Sequence, residues 1–291
     1  MSPSSYDPWK SREDFIPLPG GKNSSDGYAR VLFVGTTGAG KTTIVRQLLG
    51  TDPECERFPS ISAAKTTICD IEIVLDNGHF KAVVTFIPRE CIRQYIAECV
   101  LSSVITKYEG APKPDVFRRF LEHSEQRFRL SYILGNPILL EKSETEELED
   151  DDSEATSKYE QEINETERKR RLDSLNKYFD SISRLTDEYK LIMKNTAHEL
   201  DIVLEKASPE DQVTIQEIVD DHVTMMDEFH RLVDEIIDDV ESRFDLLSKG
   251  EIARGRDGWP IQWTYEDKNS DRSEFIRLVN KFSSNYAPNF G

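Results

Sequence analysis

Between residues 35 and 42 the chain reads Gly35-Thr36-Thr37-Gly38-Ala39-Gly40-Lys41-Thr42, a glycine-punctuated stretch ending in an ammonium and a hydroxyl. Glycine lacks the Cβ that blocks left-handed backbone, so successive N–H groups in such a loop can turn inward around an anion. Lys41 adds a mobile cation suited to the β- and γ-phosphates of a nucleotide, and Thr42 a hydroxyl that completes the oxygen shell of Mg2+. The helix expected over residues 42–49 would aim its positive dipole end at the same anion. The chemistry implied is binding of a nucleoside triphosphate, GTP or ATP, with Mg2+. Thr43 either touches the α-phosphate or faces a neighbouring strand.

The flanking elements suit that role. Residues 29–34 form a short apolar run with β-branched side chains, as a buried parallel strand would. Ile44, Val45, Leu48 and Leu49 then recur at helical spacing, and Gly50 closes the helix. Strand, glycine loop and helix in that order are the setting of the P-loop pattern Gly-x-x-x-x-Gly-Lys-Thr. Residues 67–75 and 80–87 are β-rich runs joined by Asp76-Asn77-Gly78, a turn that predicts an antiparallel hairpin. Amphipathic spacing predicts helices over residues 89–107 and 115–133.

Further along, residues 158–205 can form one long helix in which Leu175, Ile182, Tyr189 and Thr196 alternate with Tyr178, Leu185 and Ile192 at seven-residue spacing. Ser208-Pro209-Glu210-Asp211 carries the signals of a second helix start. Its seam holds Ile215, Val219, Met226, Phe229, Val233, Ile236, Val240 and Leu247, with His222 as a polar register residue, until Lys249-Gly250 ends it. Each arm would be on the order of 60 Å long. The expected organisation is a flexible arm (1–27), a nucleotide-binding core (28–140), an acidic linker (141–157), an antiparallel coiled-coil hairpin (158–250) and a return segment packing on the core (251–291). The return should hold a strand over residues 259–265 and a final helix from Asp271 or Ser273.

Composition excludes several classes. A net charge of −18 disfavours a general nucleic-acid binder and gives no sign of membrane contact, since phosphate backbones and acidic lipids reward clustered Lys and Arg. The basic run Glu167-Arg168-Lys169-Arg170-Arg171 reads as a solvated helix face making i,i+4 pairs. Cys55, Cys69, Cys91 and Cys99 lack zinc-ligand spacing, which points to ordinary reduced thiols and a cytoplasmic setting. No apolar run is long enough for a membrane span.

Residues 31–50, Val-Leu-Phe-Val-Gly-Thr-Thr-Gly-Ala-Gly-Lys-Thr-Thr-Ile-Val-Arg-Gln-Leu-Leu-Gly, resemble the opening of P-loop GTPases of the septin, immune-associated and dynamin-like type. Phe58-Pro59-Ser60 followed by Lys65-Thr66-Thr67 is similar to the first switch of dynamin-like and mitofusin-like proteins. The resemblance implies an α/β P-loop NTPase-like sheet, partly completed here, carrying a helical stalk and assembling with copies of itself or a partner through that stalk. It also implies that Thr67, or Thr66 in a register one residue shorter, reaches Mg2+ and the attacking water, while Lys41 neutralises the transferred phosphoryl group.

Departures from the family pattern are specific. Pro88-Arg89-Glu90 stands where Asp-x-x-Gly would follow a strand, with Glu90 read as a helix N-terminal charge or a water-polarising acid. Thr106-Lys107-Tyr108-Glu109 only echoes a guanine-reading motif. These gaps, with the shortage of parallel strands, point to further chain beyond Gly291. Two other classes fit the same residues: a coiled-coil ATPase resembling chromosome-maintenance or defence ATPases, and a nucleotide-binding interaction module without hydrolysis.

Overall fold

The computed structural model describes residues 7–17, 31–36, 39–52, 71–75, 78–122, 130–135, 165–245, 247, 249–268, 271–280 and 282. These are mixed α/β, mostly helical, with one three-stranded antiparallel sheet. They divide into two compact units, one within Met1–Pro88 and Arg243–Gly291, the other within Arg89–Leu148 and Gln161–Ser242.

The first unit is built on strands β1 (Phe80–Thr85), β2 (Glu251–Arg254) and β3 (Pro260–Asp267), in the order β1-β3-β2. Central β3 places Trp263 opposite both Val84 and Ile252. The two buried indoles each satisfy their N–H, Trp263 donating to Lys249 O at 2.8 Å and Trp259 to Ile87 O at 3.0 Å. Around them Phe86 meets Phe244 edge-on with centroids 4.7 Å apart, and Trp263 lies 4.8 Å from Phe282. Such pairs add roughly 0.5–1.5 kcal/mol beyond simple burial. Aromatic packing therefore takes the place of a large aliphatic core.

Several local expectations are corrected here. The buried parallel strand expected over 29–34 is not seen among the described residues: residues 31–36 belong to no strand, Val31, Leu32 and Val34 are 73%, 85% and 83% exposed, and residues 29–30 lie outside the described residues. β-compatible side chains make a strand only where partners complete its ladder, and β1 instead pairs with β3. For the same reason the hairpin over 67–87 is not seen, since residues 71–75 are outside any strand, while residues 67–70 lie outside the described residues. The arm expected to be flexible carries helix α1 (Pro8–Phe15), started by Asp7, whose carboxylate accepts the Lys10 N–H at 3.3 Å. Ser11 Oγ donates to Gln262 Oε1 at 2.8 Å and Arg12 pairs with Glu72, fastening α1 within the unit.

The second unit is helical. α3 (Arg89–Tyr108) buries Ile92, Ile96, Cys99, Val100 and Val104. α4 (Lys113–Leu121) buries Val116, Phe117, Phe120 and Leu121, and after a break α5 (Ser131–Leu134) is a single turn, so the one helix expected over 115–133 is two among the described residues. α6 (Glu165–Glu199) runs antiparallel to α7 (Pro209–Thr224) and α8 (Asp227–Phe244), as Tyr189 with Asp220, Arg184 with Glu228 and Lys177 with Glu235 record.

The isolated two-helix coiled coil is thereby corrected to a bundle. α6 buries adjacent pairs, Ser181 with Ile182, Leu185 with Thr186 and Thr196 with Ala197, so its apolar face is wider than a two-helix seam. α3 and α4 fill the extra width, with Phe117 stacked on Phe179 at 5.2 Å and Arg93 paired to Asp234. The second arm also breaks where Met225 is 75% exposed, and His222 is exposed rather than in a seam.

α7 begins with a capping box: Ser208 Oγ accepts the Asp211 N–H at 3.2 Å, and the Asp211 carboxylate accepts the Ser208 N–H at 3.3 Å. Ser208→Ala should cost about 1 kcal/mol, read as a lower urea midpoint with unchanged slope.

Within the bundle, burial raises the Asp220 carboxyl from its ordinary value, against the lowering effect of the hydrogen bond it accepts from Tyr189 at 2.9 Å. Burial likewise raises the Tyr189 phenol, which stays a donor. The folded chain keeps the Asp220 proton to higher pH than the unfolded chain, so this site's contribution is full below the unfolded pKa and is lost as pH rises through the folded one. Asp220→Asn should flatten the fall in unfolding midpoint that the wild type shows as pH rises from the unfolded to the raised folded value of Asp220. An equal fall in both proteins would overturn the assignment.

Candidate phosphate-binding site

Helix α2 (Lys41–Leu49) starts directly from the glycine loop. Gly40 takes φ 77 and ψ 11, a left-handed turn that favours glycine, and Ile44 N–H closes the first helical bond to Gly40 O at 3.0 Å. The N–H groups ahead of that bond have no intrahelical acceptor, which makes a helix start a natural anion seat. Upstream, Ala39 N–H donates to Thr36 O at 3.2 Å, curling the loop. A Cβ at Gly35 would come within 3.3 Å of Ala39 Cβ, so a side chain there crowds the curl.

Lys41 joins the loop's two ends. Its Nζ donates to Gly35 O at 2.7 Å and to Thr36 O at 2.8 Å, clasping two upstream carbonyls with the charge that opens α2. Lys41 and Thr42 are half-buried in the first helical turn, and Thr43 is exposed.

Gly35, Thr36, Ala39, Gly40, Lys41, Thr42 and Thr43 thus sit on one loop and helix start. Thr37, Gly38, Thr66 and Thr67 lie outside the described residues. Glu90 is an exposed acid in the first turn of α3, the position where a carboxylate favours the helix dipole. The echo of a base-reading motif is the structural end of α3, with the Lys107 ammonium 4.3 Å over the Phe179 ring and Tyr108 beside Tyr189. Burial pushes the Cys99 thiol up to about 12, so it is an inert core residue.

Thr42, a half-buried hydroxyl in the first turn of α2, could offer one oxygen to a hard cation such as Mg2+, which takes its other ligands from water or a bound anion. Among the described residues no cluster of His, Cys, Asp or Glu could hold a metal, and no helix is long and apolar enough to cross a membrane.

The far end of α2 holds a residue that sequence reasoning missed. Gly50, at φ 63, donates its N–H to Arg46 O and Gln47 O, ending the helix as expected. The Arg272 guanidinium then donates to Leu49 O at 3.2 Å and Gly50 O at 3.4 Å from more than 220 residues away. No periodicity or motif marks such a contact.

The chain matched no family model, no curated protein and no solved structure.

Proposed function

We propose that this chain binds a Mg2+ nucleoside triphosphate, GTP in preference to ATP, at the loop 35–42, and acts as a dynamin-like P-loop NTPase whose nucleotide state is coupled to its helical unit and to self-association. The observation that carries the proposal is the Lys41 clasp on Gly35 O and Thr36 O, set at a helix start behind a left-handed Gly40. A bound triphosphate draws the ammonium from a loop carbonyl to its phosphate oxygens, exchanging a neutral acceptor for a charged one. Thr42 contributes its hydroxyl to the metal shell, and Thr67 is assigned the second hydroxyl by its place after Lys65-Thr66. The metal supplies charge neutralisation on the β- and γ-oxygens, as in phosphoryl transfer generally. Lys41 spreads positive charge over the same group, and the loop amides hold it in line with water.

Titration of labelled GTP and ATP, with and without Mg2+, tests this directly. Magnesium-dependent affinity for GTP above ATP is the expected result. A strong ATP preference would replace the dynamin-like assignment with the coiled-coil ATPase one. Binding without phosphate release, in wild type and Lys41→Ala alike, would leave a nucleotide-binding interaction module. Absence of magnesium-dependent binding to either nucleotide overturns the proposal.

A further inference from the structure

Helix α2 fully buries none of its residues: Ile44 and Leu48 are exposed and Val45 and Leu49 half-buried, so apolar packing holds its pose only in part. Its C-terminal carbonyls carry the negative end of the helix dipole, where a guanidinium is the best-matched partner. Arg272 meets that end with two donations from one fork nitrogen, to Leu49 O and Gly50 O.

Arg272 itself stands on a fixed base. It opens helix α9 (Arg272–Asn280), whose start is tied down by the buried Asp267 carboxylate accepting the Asp271 N–H at 2.9 Å. Asp271 Oδ1 in turn accepts the Glu274 N–H at 3.1 Å, and Glu274 pairs with Lys249. One turn on, Phe275 stacks on Phe80 of β1 with ring centroids 5.2 Å apart. A continuous polar and aromatic path therefore runs from the sheet, through α9 and Arg272, to the C-terminal end of α2. The N-terminal end of the same short rod, about 12 Å away at 1.5 Å per residue, is the phosphate seat.

We propose that Arg272 is a latch through which α9 and the sheet regulate the nucleotide site, seating α2 so that its N-terminal amides and Lys41 face the triphosphate. This rests on the nucleotide assignment made above. Coupling between the two ends is reciprocal: if the latch favours the binding-competent pose, bound nucleotide tightens the latch and steadies α9. Arg272 touches no phosphate and is a positioning residue.

The test uses the full chain as wild type, Arg272→Ala and Arg272→Lys, with near-UV circular dichroism of the buried tryptophans reporting an intact sheet. Affinity for Mg2+ GTP is expected to fall about five- to tenfold in Arg272→Ala, with partial recovery in Arg272→Lys, which keeps the charge but loses the fork. Backbone hydrogen exchange of residues 275–279 should slow when nucleotide is added to wild type and stay unchanged in Arg272→Ala, a response that a purely structural contact would not give. If wild type binds nucleotide while both variants bind within twofold of it and α9 exchange responds equally in all three, the latch is overturned and the nucleotide assignment stands. If wild type fails to bind, both fall together.

Discussion

Lys41→Ala is expected to lower affinity for the magnesium triphosphate by about 10²–10⁴-fold, because two charge-assisted hydrogen bonds at about 1.5–3 kcal/mol each are removed from a strongly anionic ligand. The same substitution opens the clasp on Gly35 O and Thr36 O, so the loop must also order itself on binding. Since Lys41 is only half-buried, the ligand-free protein should unfold at nearly the wild-type temperature, which separates the binding defect from a folding one. Lys41→Arg should not rescue, because a planar fork cannot reproduce a point charge curled within so short a loop. Isothermal titration with GTP and Mg2+ measures the effect, and an affinity within threefold of wild type would remove the ammonium from the site.

Gly250→Ala is expected to cost the sheet-bearing unit about 3–5 kcal/mol, the combined effect of overpacking and backbone strain at one residue. Gly250 has φ +91, and an added Cβ would lie 2.4 Å from Trp263 Nε1 and 2.6 Å from Thr264 O. Neither neighbour can retreat cheaply. Thr264 is in the central strand, paired to Val83 on one side and Glu251 on the other, and Trp263 is committed to its hydrogen bond with Lys249 O. Gly258, with φ +86 and nothing within 4 Å of its Cβ position, is the control: Gly258→Ala should cost only the left-handed strain of about 1–2 kcal/mol. Urea unfolding followed by tryptophan fluorescence compares them, and equal losses in the two variants would contradict the steric account.

Local signals were legible where the chemistry is local. The helix start after Gly40, the left-handed Gly50 stop and the Ser208-Pro209-Glu210-Asp211 start all act within one or two turns, and each is found where its residue types place it. Helix α3 follows the same rule, since a 3.6-residue apolar period needs only its own chain to be recognised. The small turn over Asp7-Pro8 carried an equally local signal, obscured by the proline-rich composition around it.

Pairing was less legible. Residues 31–34 and 80–85 both have strand-compatible side chains, yet only the second group is in a sheet, because its partner is the segment from Pro260 to Asp267. The width of the α8 face could have been read from its doubled apolar positions, Leu232-Val233 and Ile236-Ile237, but a seven-residue repeat records only the seam and hides the flank.

By itself the sequence determined the helix that follows Gly40 and its stop at Gly50, and the spacing of glycines, ammonium and hydroxyl on which the proposed anion site rests. Tertiary structure alone decided which strand pairs with which, that the long helices lie in a bundle with α3 and α4, and that Arg272 caps the far end of α2. The division is physical. Loop conformation and helix initiation depend on neighbours a few residues apart, whereas strand partners, helix faces and a capping guanidinium are chosen by the free energy of contacts between segments tens to hundreds of residues apart.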